Sequence, residues 1–177
     1  MAIIIDTNCL SRVFNRKNKE FPEFEPVFNW IIDGNGFIVY GGSKYMDELK
    51  KSNKYLSLFA NLNTLKKTFM CKETESIDRL TEYYKEKFGD EDFDDPHLPA
   101  IVLVTKCHLI CSKDIRSFKY IKCSKMYPKR FKIPQIYYCK NNANLLNDSN
   151  IDNRLKCFKV KLNKKDKDRI NDLLSSF

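Results

Sequence analysis

The sequence predicts an α/β fold in which helices cover both faces of a central parallel sheet. Short apolar runs, typical of strands that are buried on both sides, alternate along the chain with longer segments of helical periodicity. A chain of 177 residues with 42% hydrophobic residues suits one such domain with a modest tail. The alternation of strand and helix therefore indicates a three-layer sandwich.

The first half of the chain predicts three strands and the helices that follow them. Each strand is a short apolar run, and each helix places its apolar residues three or four positions apart. Glycines near 34–36 and 41–42 separate these segments. The predicted elements are a strand at 2–5, a short helix through Val13, a helix at 22–32, a strand at 37–40, a helix that contains Tyr45 and Leu49, a helical continuation at 54–67, a strand at 68–71 and a helix at 76–88.

The second half of the chain predicts two further strands, at 109–111 and 135–139. An acidic loop at 90–95 precedes them and ends in Asp95-Pro96. This pair indicates a helix N-cap followed by proline at the first helical position, and the predicted helix continues to Cys107.

Beyond residue 140 the composition changes. The polar, Asn-rich stretch 141–153 predicts a loop or linker, and a helix is predicted at 164–174. We therefore divide the chain into a domain at 1–140 and a basic C-terminal extension at 141–177.

The net charge of +9 is concentrated in the C-terminal third. Residues 119–177 hold 15 Lys+Arg against 5 Asp+Glu, whereas residues 1–118 hold 17 against 18. A basic flank indicates a polyanion such as nucleic acid, although lysines also occur simply as solvated surface residues. The candidate RNA-binding residues are Lys129, Arg130, Lys132, Lys159 and Lys161.

Several other kinds of site lack support in the sequence. The seven cysteines form no CxxC pair and lie mostly in apolar runs, which indicates reduced core residues. His97, Cys107, His108 and Cys111 fit no familiar zinc spacing, which favours structural roles. There is no Gly-rich phosphate loop, nucleophile elbow, secretory signal or membrane-spanning run. We therefore expect a soluble, cytoplasmic protein.

Four acidic residues occur where the predicted fold brings side chains together. Asp6 and Asp114 follow predicted strands, Glu48 lies on the helix after the second strand, and Asp95 precedes a helix. The carboxyl ends of parallel strands share one edge of the sheet, where α/β proteins form their sites. Because Mg²⁺ prefers oxygen ligands and is usually held by carboxylates, this set predicts a divalent metal site.

The segments that carry these acids resemble the PIN-domain family of nucleases. The most specific are IIIDTN at 3–8, DDPHLPA at 94–100 and LICSKD at 109–114, and the resemblance covers residues 2 to about 118. It implies a parallel sheet between helices, Mg²⁺ or Mn²⁺ as cofactor, and endonucleolytic hydrolysis of RNA that leaves a 5′-phosphate and a 3′-hydroxyl. In its terms the catalytic, metal-binding residues are Asp6, Glu48, Asp95 and Asp114, and the polar supporting residues are Asn8 and Ser112, with Ser112 in place of a more usual threonine.

The resemblance also implies partners. Besides RNA as substrate, these are an antitoxin or other regulatory protein, since the family includes VapC-like toxins and other defence nucleases, and a second copy of the chain in a homodimer. No membrane partner is expected. Two alternative functions stay open: a PIN-like module without catalysis that binds RNA or protein, and a structure-specific DNA nuclease.

Individual acids have structural interpretations as well. Asp6 and Asp95 could act as helix N-caps, and Asp94 could replace Asp95 as the metal ligand. Glu48 is preferred on its helix because this position leaves Tyr45 and Leu49 to face the core. His97 is expected at the start of a helix beside the site.

Overall fold

The computed structural model describes residues 2–89, 92–147, 158 and 160–177. Within these residues the chain alternates strands with helices, as the apolar periodicity predicts. In chain order the elements are β1 (Ala2–Ile5), a 3₁₀ turn (Thr7–Cys9), α1 (Leu10–Phe14), α2 (Phe21–Ile32), β2 (Phe37–Gly41), α3 (Ser43–Lys50), α4 (Asn53–Thr64), β3 (Thr68–Cys71), α5 (Thr74–Phe88), α6 (His97–Thr105), β4 (Leu109–Cys111), α7 (Ile115–Ile121), a second 3₁₀ turn (Ser124–Met126), β5 (Gln135–Tyr137), a 3₁₀ helix (Lys140–Leu145) and α8 (Lys164–Ser175).

Five parallel strands form one sheet in the order β3-β2-β1-β4-β5. β1 lies at the centre, where Ile3 pairs with Ile38 of β2 and Ile5 pairs with Cys111 of β4. Every residue of β1 is buried, because helices cover both faces of the sheet. The predicted three-layer α/β fold with a parallel sheet is confirmed.

The strand order creates a switch point between β1 and β4. From β1 the chain proceeds outward to β2 and β3, then crosses back to β4 on the other side of β1 and continues outward to β5. Connections therefore leave β1 and β4 in opposite directions, which opens a crevice at the carboxyl ends of these two strands. Asp6 and Ser112 are the first residues after them.

The helices pack as their apolar spacing predicts. Along α2 the side chains of Phe24, Val27, Phe28 and Ile31 are buried, while Glu25 is exposed. α2 packs on α1, α5 packs on α6, and α3 contacts both α4 and α5. No helix among the described residues has the length and apolar character that crossing a membrane requires.

The helix after the acidic loop begins later than predicted. α6 starts at His97, Pro96 is its N-cap residue, and no side chain of the described residues caps it. The backbone carbonyl of Asp95, rather than its carboxylate, accepts a hydrogen bond of 3.1 Å from the Leu98 N–H. The predicted N-cap role of Asp95 is therefore wrong.

α4 is shorter than predicted, because the chain turns sharply after Thr64. Lys66 adopts a left-handed backbone conformation with φ of 55°, which no α-helix accommodates. The side chain of Lys67 is then buried, and its Nζ donates hydrogen bonds to the carbonyl oxygens of Gly34 at 2.9 Å and Gly36 at 3.1 Å. The predicted helical continuation to Lys67 is wrong for this reason.

Two further boundaries differ from prediction. α6 ends at Thr105 rather than Cys107, since Lys106 is left-handed with φ of 56°. β5 ends at Tyr137, and the 3₁₀ helix Lys140–Leu145 replaces the first part of the predicted loop. Residues 90, 91 and 148–153 of the predicted loops lie outside the described residues.

α8 packs against α4 and contributes to the same hydrophobic core as the sheet. Its Ile170 and Leu174 are buried in that core. At its surface, Lys167 pairs with Asp33 at 2.7 Å, and Arg169 donates to Asn61 at 2.7 Å. The division of the chain at residue 140 stays a prediction.

The cysteines that the structure describes are free thiols. Cys9, Cys71, Cys107 and Cys111 are buried, and Cys123 and Cys139 are half-buried. Burial raises the pKa of the Cys107 thiol to about 12, which disfavours the thiolate that metal binding requires. Cys157 lies outside the described residues.

Candidate metal centre

Asp6 lies directly after β1 and is only 2% exposed. Its Oδ2 accepts hydrogen bonds from the Asn8 side-chain amide and from the Ser112 hydroxyl, both at 2.8 Å. Its Oδ1 accepts the Asn8 backbone N–H at 3.2 Å, so Asp6 also caps the 3₁₀ turn Thr7–Cys9. Burial raises the pKa of Asp6 to about 6, although these hydrogen bonds lower it. The two predicted supporting residues therefore both hold the Asp6 carboxylate.

Glu48 reaches the same region from α3. Tyr45 and Leu49 are buried as predicted, and the Tyr45 hydroxyl donates a hydrogen bond of 2.7 Å to the carbonyl oxygen of Ile5 at the end of β1. Glu48 Oε2 accepts a hydrogen bond of 2.7 Å from the Thr7 hydroxyl. Two contacts thus fix α3 and its carboxylate against the end of β1.

Asp95 faces the other three acids. Burial and, after it, the negative charges of Asp6, Glu48, Asp114 and Asp94 together raise its pKa to about 7. These acids therefore repel one another when they are ionised. The structure thus brings the predicted acids into one electrostatic cluster.

Asp114 occupies the cluster as the N-cap residue of α7. Its Oδ1 accepts hydrogen bonds from the Arg116 backbone N–H at 3.2 Å and from Arg116 Nε at 3.0 Å. The same guanidinium contacts Asp94 Oδ2 at 3.3 Å. The Asp94 side chain is 60% exposed and that of Asp95 is 15% exposed. Asp94 therefore lies at the rim with Arg116, and Asp95 lies inside.

His97 lies behind Glu48 and Asp95 and is 1% exposed. Its Nε2 is 3.9 Å from Glu48 Oε2, and its Nδ1 is 4.0 Å from Asp95 Oδ1. Both distances exceed a hydrogen bond, and neither ring nitrogen has a partner among the described residues. Burial lowers the pKa of His97 to about 4, so the imidazole is neutral at pH 7.

The acids surround one cleft of about 640 Å³ at the carboxyl ends of β1 and β4. All four predicted acids line it, together with Asn8 and Asp94. Four cationic side chains that the sequence analysis did not single out also line it: Arg12, Lys51, Lys113 and Arg116. Lys113 and Arg116 lie within two residues of Asp114 in the sequence, and Thr7 directly follows Asp6, a signal that could have identified all three. Arg12 and Lys51 carry no comparable signal.

A single carboxylate holds two of these cations at the cleft. Glu20 accepts a hydrogen bond of 2.7 Å from Arg12 Nε and one of 2.8 Å from Lys113 Nζ. These hydrogen bonds lower the pKa of Glu20, that from Lys113 most. Arg12 also donates to the carbonyl oxygen of Asn8. The two cations are thus fixed in place and share only one counter-charge at Glu20.

The predicted RNA-binding residues lie elsewhere. Lys129, Arg130 and Lys132 are exposed in the loop that precedes β5, at the amino edge of the sheet and opposite the cleft. Lys161 is exposed just before α8, and Lys159 lies outside the described residues. Their role in RNA binding stays a prediction.

Comparison with protein-family models, with curated proteins and with solved structures gives no match to this chain. What the cleft binds must therefore be inferred from its own side chains. Carboxylate oxygens are the ligands that divalent cations such as Mg²⁺ and Mn²⁺ prefer. His97 is buried beside two carboxylates with both ring nitrogens unpartnered, and one of these nitrogens also fits as a metal ligand. The donor set thus fits a divalent ion.

Proposed function

We propose that this protein is a metal-dependent endoribonuclease that hydrolyses RNA phosphodiester bonds with Mg²⁺ or Mn²⁺ as cofactor. One observation carries the proposal: acids from four separate segments meet in one cleft at the switch point of a parallel sheet. Gathering like charges costs stability unless a cation binds among them. A cluster of this kind therefore favours a site selected for metal binding.

Within this proposal Asp6, Glu48, Asp95 and Asp114 hold the metal. A bound divalent ion supplies an activated water and neutralises charge on the phosphate. Asn8 and Ser112 fix the orientation of Asp6, and Thr7 fixes that of Glu48. Such hydrogen bonds keep ligand oxygens in place before the ion arrives, which reduces the cost of ordering them.

The cations beside the acids support a phosphate-containing substrate. Arg12 and Lys113 are held by Glu20, and Arg116 spans Asp94 and Asp114. A polyanion needs such groups because the metal cluster alone would repel its flanking phosphates. The choice of RNA over DNA, and cleavage to a 5′-phosphate and a 3′-hydroxyl, follow from the resemblance to PIN-domain nucleases.

The test is cleavage of end-labelled single-stranded RNA by tag-free protein, with Mn²⁺, with Mg²⁺ or with EDTA. We expect metal-dependent cleavage that EDTA abolishes and that leaves 5′-phosphate ends. A DNA strand of the same sequence distinguishes a ribonuclease from a DNA nuclease. Binding of RNA without cleavage at any metal concentration would support the non-catalytic module and reject the proposal.

A further inference from the structure

His97 lies at the cluster without any role in the proposed set of oxygen ligands. It is one of two histidines in the chain, and its ring is packed against Tyr45 with centroids 6.3 Å apart. A buried imidazole without a partner costs free energy, because both nitrogens give up hydrogen bonds to water. The surrounding residues that the structure describes offer no hydrogen bond in return.

The distances around His97 suit a shared ion better than a hydrogen bond. Two atoms that each lie about 2.1 Å from one ion can be separated by at most about 4.2 Å. The separation of 3.9 Å between His97 Nε2 and Glu48 Oε2 falls inside this limit. The 4.0 Å to Asp95 Oδ1 is measured from the other ring nitrogen, Nδ1, which cannot bind the same ion. Ligand atoms of all three residues lie within 4.8 Å of one another, so a small rotation of a carboxylate completes the set.

Glu48 can adjust through Oε1, the carboxylate oxygen that Thr7 does not hold. The Glu48 side chain is 17% exposed, and its second oxygen faces Lys44 Nζ at 3.3 Å. The Lys44 side chain is 52% exposed and can move into solvent. Thr7 donates a hydrogen bond to Glu48 Oε2, the oxygen that lies 3.9 Å from His97 Nε2. The ring itself is buried and fixed by packing, so the Glu48 carboxylate adjusts to it.

We propose that His97 is a nitrogen ligand, with Glu48 and Asp95, of a divalent transition-metal ion such as Mn²⁺. The inference rests on the proposed function in that it uses the same metal centre, but its readout does not depend on RNA cleavage. Imidazole is a good ligand for transition metals, whereas Mg²⁺ prefers oxygen. The site should therefore discriminate between Mn²⁺ and Mg²⁺ through His97.

The experiment uses tag-free, full-length protein stripped of metal and loaded with Mn²⁺. Pulsed electron paramagnetic resonance should detect modulation from an imidazole nitrogen, which changes when histidine is labelled with ¹⁵N. Calorimetric titration should show that His97→Gln weakens Mn²⁺ binding at least about tenfold, as expected for loss of a metal-site group. Mg²⁺ binding should change less than about threefold, because its ligands are oxygens.

His108→Gln is the matched control. His108 directly precedes β4 at the amino edge of the sheet, away from the cleft, so nitrogen modulation and Mn²⁺ affinity should both survive. If His97→Gln does not fold, the spectrum of the unmodified protein and of His108→Gln still decides.

Bound Mn²⁺ without histidine modulation, or modulation that disappears in His108→Gln, would overturn the inference. So would equal losses of Mn²⁺ and Mg²⁺ affinity in His97→Gln. Modulation from His97 in a protein that cleaves no RNA would support the inference and reject the proposed ribonuclease. Cleavage by a protein whose bound Mn²⁺ shows no histidine modulation would support the proposed ribonuclease and reject the inference about His97.

Discussion

At the scale of single residues, the cleft combines a carboxylate that hydrogen bonds stabilise with one that neighbouring acids destabilise. Asn8 and Ser112 stabilise the ionised form of Asp6, whereas burial and neighbouring acids destabilise that of Asp95. In the metal-free protein, the ionised Asp95 therefore lowers the free energy of unfolding. A bound cation would remove this cost.

We predict that Asp95→Asn in EDTA is more stable than the parent at pH 8 and that the difference shrinks toward pH 5. The pKa of Asp95 is raised from 3.8 to about 7 on folding. A raised pKa contributes stability that is present below pH 3.8 and is lost as the pH rises through 7. Asparagine does not ionise, so the variant keeps this stability at high pH. At pH 8 its free energy of unfolding, measured by urea denaturation, should exceed that of the parent by on the order of 2 kcal/mol.

Asp94→Asn is the control, because the 60% exposed Asp94 should give little difference at either pH. Millimolar Mn²⁺ should stabilise the parent more than Asp95→Asn, as linkage requires of a ligand. An advantage that grows toward acidic pH, or equal Mn²⁺ responses, would reject Asp95 as a ligand and point to Asp94.

The candidate ligands could be predicted from the sequence, because a strand end is a local signal. Asp6 and Asp114 follow apolar runs, and parallel strands bring such ends to one edge. The contact between Thr7 and Glu48 and the clamp of Glu20 on Arg12 could not be predicted. They depend on how separate segments pack: the sequence places Thr7 beside Asp6 but does not show that it meets Glu48, and Glu20 has no distinguishing pattern.

We predict that Lys113→Gln raises the KM for RNA several-fold and leaves kcat nearly unchanged. Lys113 lines the cleft but lies outside the proposed ligands, so its loss should weaken phosphate binding only. The slope of log affinity against log salt should fall by about one unit. The control is Lys122→Gln, at an exposed lysine that follows α7 and does not line the cleft. An unchanged KM and salt slope in Lys113→Gln would contradict a phosphate role.

At the scale of elements, the position of α3 determines where Glu48 lies. The helix begins after Gly42, whose φ of 80° favours glycine and whose Cβ, if present, would lie 2.5 Å from Ile77 Cγ2. The bond from Tyr45 to the Ile5 carbonyl then holds α3 on the end of β1. The turn at Gly42 and the hydrogen bond of Tyr45 thus determine where Glu48 lies relative to the end of β1.

We predict that Tyr45→Phe lowers the free energy of unfolding by about 1–3 kcal/mol and weakens Mn²⁺ binding. The change removes one buried hydrogen bond and leaves the Ile5 carbonyl without its tyrosine donor. Denaturant melts and calorimetry measure the two effects. Tyr138→Phe, at a side chain that is 41% exposed, should change neither. Unaltered stability and Mn²⁺ affinity in Tyr45→Phe would show that α3 is held by packing alone.

Element types could be predicted more reliably than element ends. Apolar periodicity identified all five strands, because parallel strands covered on both faces are continuous apolar runs. The ends of α4 and α6 depend on left-handed turns at Lys66 and Lys106. Lysine has no preference for that conformation, so the sequence carries no signal for either turn.

At the scale of the whole molecule, the C-terminal helix α8 contributes buried residues to the core as well as positive charge to the surface. α8 buries Ile170 and Leu174 in the main core. Phe177, just after the helix, packs against Tyr55 of α4 with ring centroids 5.5 Å apart. Several of its charged side chains face solvent, including Lys164 and Lys165. Removal of the helix would therefore change stability and charge together.

We predict that Ile170→Ala lowers the free energy of unfolding by about 2–5 kcal/mol, as expected for truncation of a fully buried side chain. Lys165→Ala, on the exposed side of the same helix, should change it by less than about 0.5 kcal/mol. Equilibrium denaturation of both variants measures the contrast. Equal, small effects would mean that α8 is an independent extension, as a division at residue 140 requires.

The central claim is that the acids in the cleft hold a metal that hydrolyses RNA. Its most direct test is the kcat/KM for cleavage of labelled RNA in Mn²⁺ by Asp6→Asn and Asp114→Asn, beside the control Asp47→Asn at an exposed acid of α3. We expect each cleft variant to lose at least about a hundredfold, since loss of a ligand removes several kcal/mol of transition-state stabilisation, and Asp47→Asn to lose none. Near-normal cleavage by a folded Asp6→Asn protein would contradict the claim.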